Sequence, residues 1–202
     1  RARLAGAVNT LRFDDEAIWG DNTDGIGLCA DLTKNLRVVL TGARILIVGA
    51  GGAARGVVGP LLTAEPAQLA ITNRTHARAE EIADAFAAVG KTQVAALSLA
   101  QLPAQRFDLV INATSASLSG ANLPLPAGIY APGSLAYDMM YGREPTPFLH
   151  LAKYSGAQQQ ADGIGMLVEQ AAESFFLWRN VRPQTQPVIA LLKSHTPSPL
   201  TP

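Results

Sequence analysis

Short apolar runs alternate along the chain with longer stretches in which apolar residues recur every three or four positions. Residues 43–48 (Ala-Arg-Ile-Leu-Ile-Val) form such a run without polar alternation, as expected of a strand buried on both faces of a parallel sheet. It leads directly into Gly49-Ala50-Gly51-Gly52-Ala53-Ala54, after which a helix is predicted towards Leu62. The pattern then repeats, with strands predicted at 68–72, 94–97, 107–112 and 134–139. A helix is predicted at 75–89, where Ala79, Ile82, Ala83 and Phe86 fall at i, i+3, i+4 and i+7. Upstream, 7–13 reads as a strand, Ile18 and Trp19 begin its return, and 22–36 reads as a helix capped by Asn22 or Thr23. Downstream, 164–178 reads as an amphipathic helix with Leu167, Ala171 and Phe175 on one face, and 187–194 as a short helix. The proline-rich tail 195–202 is expected to be disordered. Strands alternating with helices at this spacing imply βαβ units, hence an α/β fold with a Rossmann-type doubly wound parallel sheet. Right-handed crossovers then gather the strand C-termini on one edge, where ligands bind.

The chemistry begins at that edge. Gly49-x-Gly51-x-x-Ala54 has the spacing of a dinucleotide fingerprint: a glycine for the tight turn, one for approach of a phosphate, and a small residue for helix–strand packing. A purely structural turn would look similar in isolation. Here a strand precedes it and a helix follows, so Gly49, Ala50, Gly51, Gly52 and Ala53 are read as the pyrophosphate loop. The end of the next strand normally carries an acid that holds the ribose hydroxyls of NAD. This chain instead has Asn73-Arg74-Thr75 and then Arg78. Two guanidinium groups and a hydroxyl suit a 2′-phosphate, so the cofactor read from the residues is NADP(H). Cations at a helix start oppose the helix dipole, which points to a compensating anion rather than to a merely solvated surface.

Composition narrows the setting. The 202 residues are 48% hydrophobic and 16% charged with a formal net charge of zero, enough for a core and without a nucleic-acid footprint. The most apolar stretch, 40–62, is broken by Arg44 and Arg55 and is a poor membrane span. The sole cysteine, Cys29, excludes an internal disulfide and fits a reducing cytoplasm. No Cys/His cluster points to a metal, and His76, His150 and His195 read as surface residues. The chain opens on Arg-Ala-Arg without an initiating methionine, as a piece cut from a longer protein would.

Seven motifs, in order, resemble those of the shikimate dehydrogenase family. They are Gly6-Ala7-Val8-Asn9-Thr10, Gly20-Asp21-Asn22-Thr23-Asp24-Gly25, Gly49-Ala50-Gly51-Gly52-Ala53-Ala54-Arg55, Asn73-Arg74-Thr75, Asn112-Ala113-Thr114-Ser115, Tyr137-Asp138-Met139-Met140-Tyr141, and the run 162–171 from Asp162 to Ala171. The resemblance implies reversible, NADP-dependent hydride transfer between 3-dehydroshikimate and shikimate, within aromatic amino acid (chorismate) biosynthesis. It implies that Asp24 is catalytic, that Asn9, Asp24, Tyr141 and Gln170 bind substrate, and that Asn112, Thr114, Met139 and Gly163 line the cofactor beside the loop and the 2′-phosphate residues. Alternatives stay open for several of these residues. Asp24 also suits a helix start, Met139 and Tyr141 also suit a core, and Gln170 also suits a solvated helix face.

The resemblance further implies a first lobe, carrying the acid/base lysine, that these residues do not include. Lys34, Lys91, Lys153 and Lys193 lie outside any similar motif. The expected division is a remnant of the substrate lobe at 1–24, a cofactor domain at 25–162, helices returning to the substrate lobe at 163–194, and a tail at 195–202. Such a chain is expected to have little or no activity alone and to self-associate through apolar surface. Rival readings are a quinate/shikimate paralog, a non-catalytic NADP-binding module, and a folate or glutamyl-tRNA dehydrogenase relative. Retention of Asn9, Asp24 and Gln170 counts against the module, and the Gly-Asp-Asn-Thr-Asp-Gly segment counts against the last.

Overall fold

The computed structural model describes residues 1–115 and 124–194, so the tail expectation for 195–202, with His195, falls outside the described residues. After a single helical turn, α1 (Ala2–Ala5), strands β1 (Thr10–Asp14) and β2 (Ala17–Asp21) pair antiparallel as a hairpin. The return strand foreshadowed by Ile18 and Trp19 is therefore complete, while the first strand starts at Thr10 rather than at Ala7. The predicted helix at 22–36 is shorter than expected: α2 (Asp24–Ala30) passes into a π-helical turn at Asp31–Asn35. Thr23 stands at the N-cap position without a side-chain cap, and Asn22 Oδ1 instead accepts from the Asp24 N–H (3.2 Å).

Beyond it lies the doubly wound sheet. β3 (Arg44–Val48), α3 (Gly52–Thr63), β4 (Gln68–Thr72), α4 (His76–Ala85), β5 (Val94–Ala96), β6 (Phe107–Asn112), β7 (Tyr130–Asp138), α5 (Pro147–Tyr154) and β8 (Gln159–Ala161) follow in sequence. The six strands lie in the order β5-β4-β3-β6-β7-β8, and every neighbouring pair is parallel. The order reverses between β3 and β6, the switch point at which a crevice opens beyond the strand C-termini. Ile45 and Ile47 face one apolar cluster with α3 and α4, while Leu46 and Val48 face another with Phe148, Leu149 and Ala152 of α5. Burial on both faces is why these strands read as unbroken apolar runs.

Besides α1 and a 3-10 turn at Leu99–Ala104, α5 and β8 escaped the sequence pattern. α5 starts at a Thr-Pro pair, with Thr146 Oγ1 accepting from the Leu149 N–H (3.3 Å) and Pro147 at the first helical position, a start signal that the pattern of apolar residues did not flag. β8 is a three-residue polar edge strand, too short to show a period.

α6 (Ile164–Arg179) and α7 (Gln186–Ser194) complete the chain. The expected apolar face of α6 is corrected: Ala171 and Phe175 are exposed and Leu167 is only half-buried. The inner face is Met166, Val168, Glu169, Ala172, Glu173 and Ser174. Two glutamates can lie inward because each is bonded. Glu169 Oε1 accepts from Thr185 Oγ1 (2.7 Å) and Asn35 Nδ2 (3.2 Å), and Glu173 pairs with Arg182 (2.6 Å) and Arg1 (3.5 Å). The start of α6 packs so closely on the π turn that a Cβ on Gly165 would overlap the Asp31 carboxylate. Asp31 is itself fixed by the Tyr137 hydroxyl (2.8 Å) and by Asn35 Nδ2 (2.8 Å). Gly165→Ala is therefore expected to lower unfolding stability by about 1–3 kcal/mol, the cost of overpacking. Gly51→Ala, where φ is −93° and an added Cβ meets nothing within 4 Å, should melt like the parent. Thermal unfolding of the two variants checks this, and equal melting temperatures would contradict it.

Candidate active site

The switch point forms a cradle. β3 delivers the chain to Gly49, whose N–H bonds the Thr72 carbonyl (2.8 Å) and whose φ of +112° lies in the left-handed region where glycine is favoured. A Cβ there would stand 2.7 Å from Thr114 Cγ2 and 3.2 Å from the Ala113 carbonyl, so the turn is confined against the loop that leaves β6. Above Gly51 and Gly52 the space is open, with no heavy atom within 4 Å of an added Cβ. Gly51 caps α3 without a side-chain bond, and the first-turn N–H groups of a helix have no intrahelical partners. Together they form an open, donor-lined surface with the positive end of the helix dipole behind it, which fits a pyrophosphate.

At the end of β4, Asn73 Nδ2 bonds the Thr75 carbonyl (2.9 Å), setting the bend that begins α4. Arg74, Thr75 and Arg78 are exposed there, and neither guanidinium has a hydrogen bond or ion pair among the described residues. At the end of β6, buried Asn112 donates to Asp138 Oδ1 (2.9 Å) and accepts from Thr114 Oγ1 (2.7 Å), tying the third loop to β7. Met139 and Tyr141 follow β7, the first half-buried and the second exposed. Gly163 abuts Met139 so closely that a Cβ would overlap its carbonyl, which fixes the start of α6 beside the sheet edge.

The other cluster sits where the hairpin, α2 and α6 meet. Asn9 Nδ2 donates to Asp24 Oδ1 (2.8 Å), and Asn9 Oδ1 accepts from the Thr23 N–H (3.0 Å). Thr23 Oγ1 also reaches Gln170 Oε1 (3.2 Å). α2 and α6 cross so closely at Gly27 that a Cβ would meet Gln170 N and Cβ at 2.6 Å. Asn9, Asp24 and Gln170 are thus brought together, while Tyr141 makes no hydrogen bond to them among the described residues. Of the hydroxyls of Thr10, Thr23 and Ser174 beneath this cluster, the sequence marks only Thr23, and that as a candidate helix cap. The threonines sit inside quoted motifs, and nothing in the sequence marks Ser174.

Lys91 pairs with Glu65 (2.7 Å), while Lys34, Lys153 and Lys193 sit in the π turn, α5 and α7. None forms an ion pair with Asp24 among the described residues. Burial pushes the Asp162 carboxyl above the ordinary range and the Cys29 thiol up to about 12, so Cys29 is not a thiolate. Among the described residues no group of three or more His, Cys, Asp and Glu could hold a metal, and no helix is long and apolar enough to cross a membrane. His76 is half-buried and His150 exposed. A separate cavity of about 470 Å³, lined by Arg143, His150, Lys153 and Asp162 among others, opens beyond β8 and away from the glycine cradle.

Comparison with known proteins agrees with this layout. The family model for shikimate / quinate 5-dehydrogenase matches residues 31–119, and that for the shikimate 5′-dehydrogenase C-terminal domain matches residues 163–193. The shikimate dehydrogenase (NADP(+)) of Dechloromonas aromatica is 59% identical over 194 residues, which is 96% of this chain and 70% of that protein. The crystal structure of an Ael1 enzyme from Pseudomonas putida superposes with a TM-score of 0.87 at 46% identity, covering 95% of this chain and 69% of that one. The shikimate 5-dehydrogenase of Thermus thermophilus, solved with NADP(H) and shikimate, gives 0.78 at 30% identity over 97% of this chain and 70% of that one. A parallel sheet with its glycine cradle at the switch point, joined to such identity across nearly all its residues, makes this chain a member of the shikimate dehydrogenase family.

Proposed function

We propose that this chain forms the NADP(H)-binding half and part of the substrate site of a shikimate dehydrogenase, which reversibly reduces 3-dehydroshikimate to shikimate. The observation that carries this reading is the path of α6. It starts at Gly163 against the Met139 carbonyl, at the sheet edge, and seven residues on presents Gln170 to Thr23 in the Asn9–Asp24 cluster. At 1.5 Å per residue that separation is about 10 Å, short enough for cofactor and substrate to meet over one helix.

When bound, NADPH supplies the hydride. The residues of the chain divide the remaining work. Gly49, Ala50, Gly51, Gly52 and Ala53 receive the pyrophosphate, and Asn73, Arg74, Thr75 and Arg78 the 2′-phosphate. Asn112 and Thr114 close the third side, and Met139 and Gly163 flank the nicotinamide position. Asn9, Tyr141 and Gln170 hold substrate oxygens. Asp24 uses Oδ1 to accept from Asn9, leaving Oδ2 to accept from a substrate hydroxyl and to stabilise a neighbouring cation that moves the proton. With no lysine paired to Asp24, the 202 residues alone are expected to turn over slowly or not at all. We assign 25–162 to the cofactor domain, and 1–24 and 163–194 to the substrate lobe. The lone, unreactive Cys29 supports a cytoplasmic setting.

The hairpin supports self-association as well. Val8, Leu11, Phe13 and Ile18 are all exposed, and Phe13 lies opposite Ile18 on one face of a two-stranded sheet. Such a face favours association of copies. Phe13→Lys combined with Ile18→Lys should convert concentration-dependent oligomers to monomer in sedimentation velocity. A parent that stays monomeric at all concentrations would contradict it.

For the cofactor, Arg74→Ala and Arg78→Ala should each weaken NADP+ binding by about 10- to 150-fold, since a charge-assisted bond contributes about 1.5–3 kcal/mol. NAD+ binding, lacking the 2′-phosphate, should be unchanged. Calorimetric titration with both nucleotides reads this, and parallel losses for NAD+ would show that the arginines do not read the phosphate.

A further inference from the structure

Beneath the Asn9–Asp24 pair lies a cluster of three hydroxyls drawn from three elements. Thr10 comes from β1, Thr23 from the start of α2 and Ser174 from α6, and all three are buried. Thr10 Oγ1 lies 2.6 Å from Ser174 Oγ and 3.0 Å from Asn9 Oδ1. Thr23 Oγ1 lies 3.1 Å from Asn9 Oδ1, 3.1 Å from Ser174 Oγ and 3.2 Å from Gln170 Oε1. Ser174 Oγ also reaches the Gln170 carbonyl (3.1 Å).

The proton count constrains how this cluster works. Asn9 Oδ1 accepts from the Thr23 backbone N–H, which can only donate. A flipped amide would set Nδ2 against that N–H, donor against donor, so Oδ1 is held inward. Nδ2 is thereby directed at Asp24 Oδ1. Each hydroxyl brings one proton. If Thr10 donates to Asn9 Oδ1, the short Thr10–Ser174 contact draws on the one proton of Ser174, which is then divided between Thr10 Oγ1 and the Gln170 carbonyl. Ser174 Oγ then accepts from Thr23, whose one proton is divided among Ser174 Oγ and the amide oxygens of Asn9 and Gln170.

We infer that the Thr10–Thr23–Ser174 cluster is the positioning device of the substrate site: it fixes the Asn9 amide towards Asp24 and couples it to Gln170. The inference rests on the proposed roles of Asn9, Asp24 and Gln170. The three hydroxyls touch no reacting atom and act only through those side chains. Ser174, the eleventh residue of α6, is the member through which α6 reaches Thr10 and Thr23 beneath Asn9.

The test uses this chain without nucleotide or substrate. In ¹⁵N-labelled protein, the side-chain NH₂ of Asn9, assigned by its loss in Asn9→Asp, should exchange with water more slowly than that of a free asparagine, because Nδ2 is held on Asp24. In the double variant Thr10→Val/Ser174→Ala, that exchange should rise by about tenfold, the equivalent of losing one or two buried hydrogen bonds. The NH₂ of Asn35, bonded to Asp31, should be unchanged and serves as the internal control for the fold. Thr10→Ser, which keeps the hydroxyl, should retain parental exchange. If the double variant does not fold, Ser174→Ala alone is read, with a smaller rise in the same direction. Unchanged Asn9 exchange in a folded variant, or an equal rise at Asn35, would overturn the inference. Failure of NADP(H) to bind would refute the functional reading and leave this result untouched.

Discussion

The architecture depends on one steric constraint at the switch point. β3 and β6 lie side by side and parallel, so the loops leaving them compete for the same space above the sheet. Gly49 resolves that competition by turning at positive φ where a Cβ would stand only 2.7 Å from Thr114 Cγ2. Because the turn is so tight, α3 begins only three residues later, with its N-terminus over the crevice. The same confinement keeps the Asn112–Thr114 loop in place, since its threonine is the wall against which Gly49 packs. Any side chain at Gly49 would push both loops apart and open the donor surface that suits a pyrophosphate.

A second set of close approaches carries the site away from the sheet. α6 rests on the Met139 carbonyl at Gly163, on Asp31 at Gly165, and on Gly27 at Gln170. Each contact removes a degree of freedom from the helix, so its register against α2 is set by backbone rather than by flexible side chains. The bonded glutamates on its inner face add direction: Glu169 reaches to Asn35 and Thr185, and Glu173 to Arg182 and Arg1. Buried carboxylates are costly unless paired, so these partners also hold the 181–186 connection against the helix. The substrate-side cluster is therefore positioned by the same helix that begins at the cofactor edge.

The legible part of the fold was the part with a strong period or a steric demand for glycine. The runs at 43–48, 68–72 and 107–112 are buried on both faces, so their apolar character is uninterrupted and their boundaries match the strands within a residue. Gly49 stood out because its positive φ and the close Thr114 wall restrict what can replace it, and Gly51 because of its spacing from Gly49 in the fingerprint. α6 misled in detail because its inner face carries Glu169, Glu173 and Ser174, which only tertiary partners make tolerable, while Phe175 faces outward. β8 has three residues and two glutamines, too little for any pattern to register. In the site, Asn9, Asp24 and Gln170 were legible only through family resemblance. Their meeting depends on the α2–α6 crossing, which joins residues more than 140 positions apart. Ser174 was not legible at all, because one serine on a helix has no local signature.

The central claim is that the switch-point cradle in these residues holds the dinucleotide. The most direct measurement is an amide chemical-shift map of the chain as NADPH is added. The account predicts saturable shifts confined to 49–54, 73–78 and 112–115, with smaller ones at Met139 and Gly163. Shifts absent from the glycine loop, or gathered instead around His150, Lys153 and Asp162 in the cavity beyond β8, would contradict it.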